Sequence, residues 1–123
     1  MANEITITGK VTLKSGGFEL ELNSRSLKVD QTGEGGIQQV QEIGTTYEAI
    51  DLGQVATEGY AMFRNLDDTN FVQIGLDGGA SLTPVMKLLA TETAGPLRID
   101  AAATLFALAD TASCNLEVII LEN

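Results

Sequence analysis

The stretch Asn115-Leu116-Glu117-Val118-Ile119-Ile120-Leu121-Glu122 puts Leu116, Val118 and Ile120 two residues apart. Successive side chains of a strand point to opposite faces, so this spacing writes a strand with one continuous dry face. The branched Val118, Ile119 and Ile120 suit such a pleated surface. Working back from it, Ala101 to Ala109 is alanine-rich, which favours helix by propensity. Gly95-Pro96 breaks the stretch, however, and Leu97, Ile99 and Ala101 alternate with Arg98 and Asp100. The same conflict recurs at Thr83-Pro84-Val85-Met86-Lys87-Leu88-Leu89-Ala90, where Thr83 and Pro84 would also suit a helix start. Propensity is a weak prior that tertiary context overrides. Both 84–90 and 101–109 are therefore read as mainly strand.

Further upstream, Gly59 to Leu66 and Phe71 to Leu76 read as a hairpin across the polar loop Asp67-Asp68-Thr69-Asn70. Tyr47 to Leu52 forms a short strand closed by Gly53. Ile37, Val40 and Ile43 are spaced by three, which predicts an irregular strand. Gly33-Glu34-Gly35-Gly36 reads as a loop; no P-loop lysine follows, so it cradles no phosphate. A short strand surrounds Leu27 and Val29. At the start, Ile5, Ile7, Val11 and Leu13 face one way, with Gly9 as a bulge. Ser15-Gly16-Gly17 turns into a second run with Phe18, Leu20 and Leu22 inward and Glu19 and Glu21 outward, a hairpin signature. Counted together these are about eight to ten short strands with turns every 8–12 residues. The fold expected is all-β: a single-domain antiparallel β-sandwich of jelly-roll type over residues 1–123, with residues 1–7 able to extend as an N-terminal arm.

Bulk properties agree. The chain has 123 residues, 44% of them hydrophobic, which suits one domain with a core of its own. Cys114 is the sole cysteine, so no intrachain disulfide forms, in keeping with assembly in a reducing cytoplasm. Met1-Ala2-Asn3-Glu4-Ile5-Thr6 has neither the basic nor the apolar region of a secretory signal. No apolar run approaches the roughly 18 residues of a bilayer span. Seventeen acids against seven Lys and Arg leave a formal charge of −10. Such a surface repels phosphate backbones and anionic bilayers, so neither nucleic acid nor membrane is an expected partner.

Catalytic chemistry has little to draw on. The chain contains no histidine, hence no imidazole base, no triad and no cupin-type metal set. Cys114 has no histidine to activate it and reads as a small core residue. Asp67 and Asp68 in one loop and Asp77 before Gly78-Gly79 in another would bind calcium only if the two loops met at one end of a sandwich. Their spacing matches no calcium-loop signature, and solvated turns are the simpler account. Sugar stacking is poorly served by Tyr47 and Tyr60 without any Trp; both read as core or edge residues with hydroxyls in water. No catalytic, cofactor-binding or metal-binding residue is assigned, and the chain is expected not to be an enzyme.

Three segments carry a family resemblance: Asn65-Leu66-Asp67-Asp68-Thr69-Asn70-Phe71-Val72-Gln73-Ile74-Gly75, Pro84-Val85-Met86-Lys87-Leu88, and Leu105-Phe106-Ala107-Leu108-Ala109-Asp110-Thr111-Ala112 leading into Leu116 to Glu122. Together they resemble small β-sandwich virion structural proteins of tailed bacteriophages, over about half of the chain. Met1 to Gly59 matches only in general character. The resemblance implies a non-enzymatic virion subunit present in many copies, foremost a capsid decoration or cement protein. A tail, fibre or baseplate component is the alternative, and a glycan- or calcium-binding β-sandwich module a further one. Expected partners are other copies of the chain and the major capsid protein or another virion protein. A trimer is favoured because a closed ring avoids open filaments. The expected location is the virion, assembled in the host cytoplasm.

Overall fold

The computed structural model describes residues 4–23, 26–31, 33 and 35–123. Among them are twelve strands and no helix: β1 (Ile5–Ile7), β2 (Lys10–Ser15), β3 (Phe18–Asn23), β4 (Leu27–Val29), β5 (Gly36–Ile43), β6 (Glu48–Ala49), β7 (Glu58–Asn65), β8 (Val72–Asp77), β9 (Leu82–Leu88), β10 (Thr93–Arg98), β11 (Phe106–Ala109) and β12 (Cys114–Glu122). The chain gathers into two compact units, residues 1–32 and 33–123.

Residues 33–123 form the antiparallel β-sandwich. One sheet has the order β10-β7-β12-β5 and the other β6-β11-β8-β9. The pairs β8–β9, β7–β10, β6–β11 and β5–β12 nest one outside the next. The unit is thus one long antiparallel ribbon whose tip is the β8–β9 turn, closed by Gly78 N–H donating to the Ser81 carbonyl at 2.8 Å. Wrapping that ribbon adds the pairs β7–β12 and β8–β11, and the result is an eight-stranded jelly roll. The expected antiparallel sandwich is present, with eight strands in this unit; the described residues hold twelve strands against the eight to ten expected over 1–123.

Strand β12 sits inside its sheet, paired on both sides, with Leu116, Val118 and Ile120 fully buried. They cluster with Phe63 and Ala61 of β7, Val72 and Ile74 of β8, and Ala107 and Ala109 of β11. Small alanines on β11 and large side chains on β12 let two inward faces close without voids. Both prolines fall on edge strands, Pro84 on β9 and Pro96 on β10, where a missing N–H costs no ladder bond. Each lies at a register shift, between Ile74 and Gly75 in the β8–β9 pair and between Ala94 and Leu97 in β10. At the first of these the chains approach so closely that a Cβ on Gly75 would meet the Thr83 carbonyl oxygen.

Several local expectations change. Gly59–Leu66 and Phe71–Leu76 do not form a hairpin, because β7 and β8 belong to different sheets and residues 66–71 cross between them. Strand β5 is regular, pairing residue for residue with β12; Val40 is exposed, and the inward row is Ile37, Gln39, Gln41 and Ile43. The glutamines are inward because they bond the backbone of the β6 segment. Gln41 donates to the Ala49 carbonyl at 3.1 Å and accepts from Asp51 N–H at 2.8 Å, while Gln39 donates to the Asp51 carbonyl at 2.8 Å. Of Tyr47–Leu52 only Glu48–Ala49 is strand. In 84–90 the strand runs to Leu88. In 101–109 it is confined to 106–109, since Asp100 folds the preceding residues into a turn by accepting from Ala102 and Ala103 N–H at 2.9 Å. Gly36 opens β5 and does not belong to the glycine loop, whose Glu34 lies outside the described residues.

Residues 1–32 hold two two-stranded sheets, β1–β4 and β2–β3. The expected arm, Ala2 to Ile7, begins outside the described residues; from Ile5 it is strand, with Ile5 opposite Val29 and Ile7 opposite Leu27. The β2–β3 hairpin forms as the Ser15-Gly16-Gly17 signature predicts, with Gly16 at the positive φ of 59° that a two-residue turn needs at its first position. Its expected inward face is not buried. Val11 lies opposite Leu22, Leu13 opposite Leu20 and Ser15 opposite Phe18, and all five apolar members are exposed. Among the described residues β2 and β3 pair only with each other.

Gly75→Ala should lower the unfolding free energy by about 2 kcal/mol, because its methyl group meets backbone that cannot retreat. Gly17→Ala, with open space around it, should stay within about 0.5 kcal/mol of the parent. Urea midpoints at unchanged slope report both.

Candidate functional site

The polar side chains singled out from the sequence fall at opposite ends of β8. Asp67 and Asp68 precede that strand and Asp77 closes it, so five residue steps, about 17 Å, separate the two loops. The calcium arrangement that required them to meet is excluded by this spacing. Among the described residues, no group of three His, Cys, Asp or Glu side chains gathers in a way that would hold a metal ion.

Asn65 organises the first end. It is the last inward residue of β7, fully buried, and its Nδ2 donates to the carbonyls of Asn70 at 2.8 Å and of Leu88 and Leu89 at 3.2 Å. Its Oδ1 accepts from Asp67 N–H at 3.0 Å. One amide therefore ties a strand of the first sheet to the crossover and to the end of β9 in the second. The Asp67 carboxylate then accepts from Thr69 N–H at 2.9 Å and Asn70 N–H at 2.5 Å. Those two backbone bonds, Asn70's the stronger, hold its pKa below the ordinary carboxylate value. The Asp67 carbonyl accepts from Thr91 N–H at 3.1 Å, and Thr91 sits at φ 67°, a conformation that β-branched residues avoid. Such strain persists only where surrounding bonds fix it, and here the turn Leu89–Glu92 does so: Leu89 N–H donates to the Glu92 carboxylate at 2.7 Å and Glu92 N–H to the Leu89 carbonyl at 3.0 Å.

Cys114 lies at the same end, buried, with Sγ 3.5 Å from the Ala112 carbonyl and 3.9 Å from that of Phe71. Burial first, then the charges of Asp67 and Asp110, push the thiol pKa above its usual value. A protonated, buried thiol packs; it does not attack. At the opposite end the Tyr47 hydroxyl donates to Asp77 Oδ1 at 2.9 Å, and Gly79 N–H donates to the same oxygen at 2.9 Å. The Gly79 bond and then the Tyr47 bond lower the Asp77 pKa, and the carboxylate in turn raises that of Tyr47. The Tyr47 ring packs on Phe106 with centroids 5.6 Å apart, while Arg98 lies 4.5 Å from the Tyr60 ring centre. Tyr47 is expected as a core or edge residue with its hydroxyl in water; it is half-buried, and the hydroxyl also pins the turn at Asp77 and Gly79.

At these two ends Asn65, Asp67, Asp77, Tyr47 and Cys114 each contact backbone, while Asp68 accepts from the Thr69 hydroxyl at 3.0 Å. Among the described residues, each buried side-chain nitrogen and oxygen has a hydrogen-bond partner. Depressions among the described residues of the sandwich include one of about 190 Å³ lined by Met62, Arg64, Thr93, Glu117 and Ile119, and another of about 230 Å³ beside Arg64, Leu66 and Thr91. Both are smaller than the roughly 300–1,000 Å³ of small-molecule sites. Asn65 and Thr91 were not singled out from the sequence. For Asn65 a signal existed, since it continues the inward row of Ala61 and Phe63 at period two; for Thr91 none did. No family model matches the chain, and no curated protein or solved structure matches it.

Asn65→Leu should cost about 3 kcal/mol, because the same branched outline remains while the buried Leu88 carbonyl and the part-buried Asn70 carbonyl and Asp67 N–H lose their amide partner. Thermal unfolding measures it. The depressed Asp67 pKa stabilises the fold above the unfolded carboxylate value, near 4. That contribution disappears as pH falls through the lower folded value. Asp67→Asn, whose amide oxygen can still accept from Thr69 and Asn70, should therefore be less stable than the parent at pH 7. The gap should narrow in thermal melts as pH is lowered below the unfolded carboxylate value.

Proposed function

We propose that this chain is a non-enzymatic structural subunit of a tailed-bacteriophage virion, most specifically a capsid decoration protein acting as a homo-oligomer, a trimer by preference. The observation that carries the reading is the use of the chain's reactive side chains. Asn65, Asp67, Asp77, Tyr47 and Cys114 are all engaged in fixing turns and sheet ends of a jelly roll. What this leaves for function is contact area. The jelly roll is an architecture that recurs in viral capsid proteins, and the three segments resembling virion proteins lie wholly within it. Fold alone assigns no activity, since lectins and cupins share it. Small depressions and tyrosines engaged in packing favour the contact role over the glycan-binding alternative.

Addition of purified chain to assembled, expanded heads should give stoichiometric co-sedimentation, with no binding to free coat subunits. Gold label on the particle should lie on the head surface. Label confined to the tail would move the assignment to a tail or baseplate component, and absence of binding to any particle would reject the virion role.

A further inference from the structure

We propose that the apolar face of the β2–β3 hairpin is the surface through which copies of this chain associate. This deepens the reading above and rests on its homo-oligomer. The face consists of Val11, Leu13, Phe18, Leu20 and Leu22, contiguous by register and between 46% and 65% exposed. Single exposed apolar residues are ordinary, but five on one strictly alternating face are not. The opposite face is polar and internally balanced. Lys10 Nζ lies 3.9 Å from Glu21 Oε1, and Lys14 stands opposite Glu19. A two-stranded sheet in water is marginal at best and needs one face covered.

Charge identifies the occupant. Residues 1–32 carry four cations (Lys10, Lys14, Arg25, Lys28) and four acids (Glu4, Glu19, Glu21, Asp30), for no net charge. Residues 33–123 carry three cations (Arg64, Lys87, Arg98) against thirteen acids, so the whole charge of −10 resides there. Identical sandwich units repel one another, whereas identical N-terminal units do not. An anionic bilayer would call for a basic excess that the hairpin lacks. Area fits as well. Five half-open side chains of this size offer on the order of 100 Å² each. Two such faces closed on each other bury about 1,000 Å², the threshold for a specific interface. A second copy of the chain supplies an identical apolar, neutral face: about a two-fold axis the contact is self-complementary, and about a three-fold axis each face packs against both neighbours.

The test is the mass of the full chain by light scattering across about 5–200 μM, for the parent, for Leu13→Glu/Leu20→Glu on the apolar face, and for Thr12→Lys on the polar face. The parent and Thr12→Lys should show a discrete oligomer of two or three chains, and the double variant a single chain with an unchanged thermal transition of the sandwich. A monomeric parent, or a double variant that keeps the parent's mass, overturns the proposal. Should the double variant not fold, maleimide labelling decides: Leu20→Cys should react at least tenfold more slowly than Thr12→Cys in the concentrated protein, and equal rates overturn the proposal. A monomer that floats with phosphatidylglycerol vesicles overturns it in favour of a lipid surface. An oligomer that binds no phage head supports the self-contact while removing the decoration role, so the two readings fail separately.

Discussion

The dry contact between the row Leu116, Val118, Ile120 and the facing row Val72, Ile74, Ala107, Ala109 governs the sandwich. Each large side chain taken fully from water contributes roughly 1.5–3 kcal/mol, so β12's three alone are comparable with the net stability of a domain. A slip of one residue would turn Glu117 and Ile119 inward and all three out, which fixes the register of β12 against both β5 and β7. Once β12 is fixed in the interior of its sheet, β5 and β10 become the edges, and Glu117 of β12 and Arg64 of β7 stand on the outer face. The prolines, bulges and short β6 all fall where the ladder can spare them.

A purely apolar contact would not say which ends of the two sheets belong together. That specification comes from the few polar groups set into inward rows. Asn65 engages three carbonyls and one N–H, and Gln39 and Gln41 engage the backbone on either side of Ile50. Each has its partners only in one arrangement of the ribbon, and an unpaired amide inside would be expensive in a low dielectric. The strained Thr91 and the depressed pKa of Asp67 are consequences of the same local wiring. Seen this way, the acidic loops are components of the fold first and surface second.

What was legible in the sequence was what is local. Period-two alternation located β12 and the β2–β3 hairpin, whereas the alternation at 97–101 overlaps β10 only at Leu97 and Arg98. Reading 84–90 as strand against helical propensity found most of β9. Pairing was not legible, because the decision that residues 66–71 cross between sheets is made by partners far along the chain: β12 for β7 and β11 for β8. The spacing of Ile37, Val40 and Ile43 misled because inward glutamines look polar and the outward Val40 looks apolar. In residues 1–32 alternation showed that the hairpin has a dry face, yet it carried no information about what covers that face. At the candidate site, Asp67, Asp77 and Cys114 were visible as residues, whereas the Asn65 amide that ties Asp67 to β9 was not.

The two units divide the chain's physical work by composition. The sandwich holds an excess of ten acids on a body whose interior is complete: its core is closed, its buried polar atoms are paired and its edges carry proline or bulges on β9 and β10. At low salt the field of such a body opposes contact with its own kind over about a Debye length, although Val40, Leu66, Leu76, Val85 and Leu89 are exposed on it. The N-terminal unit reverses each of these properties, being neutral, short-stranded and apolar on an open face. Were the same acids spread evenly, the hairpin face would have to overcome repulsion at contact distance, where screening is weakest. Confining the charge to residues 33–123 leaves short-range apolar contact and long-range repulsion on separate parts of one chain, so association at one face need not proceed to indiscriminate aggregation.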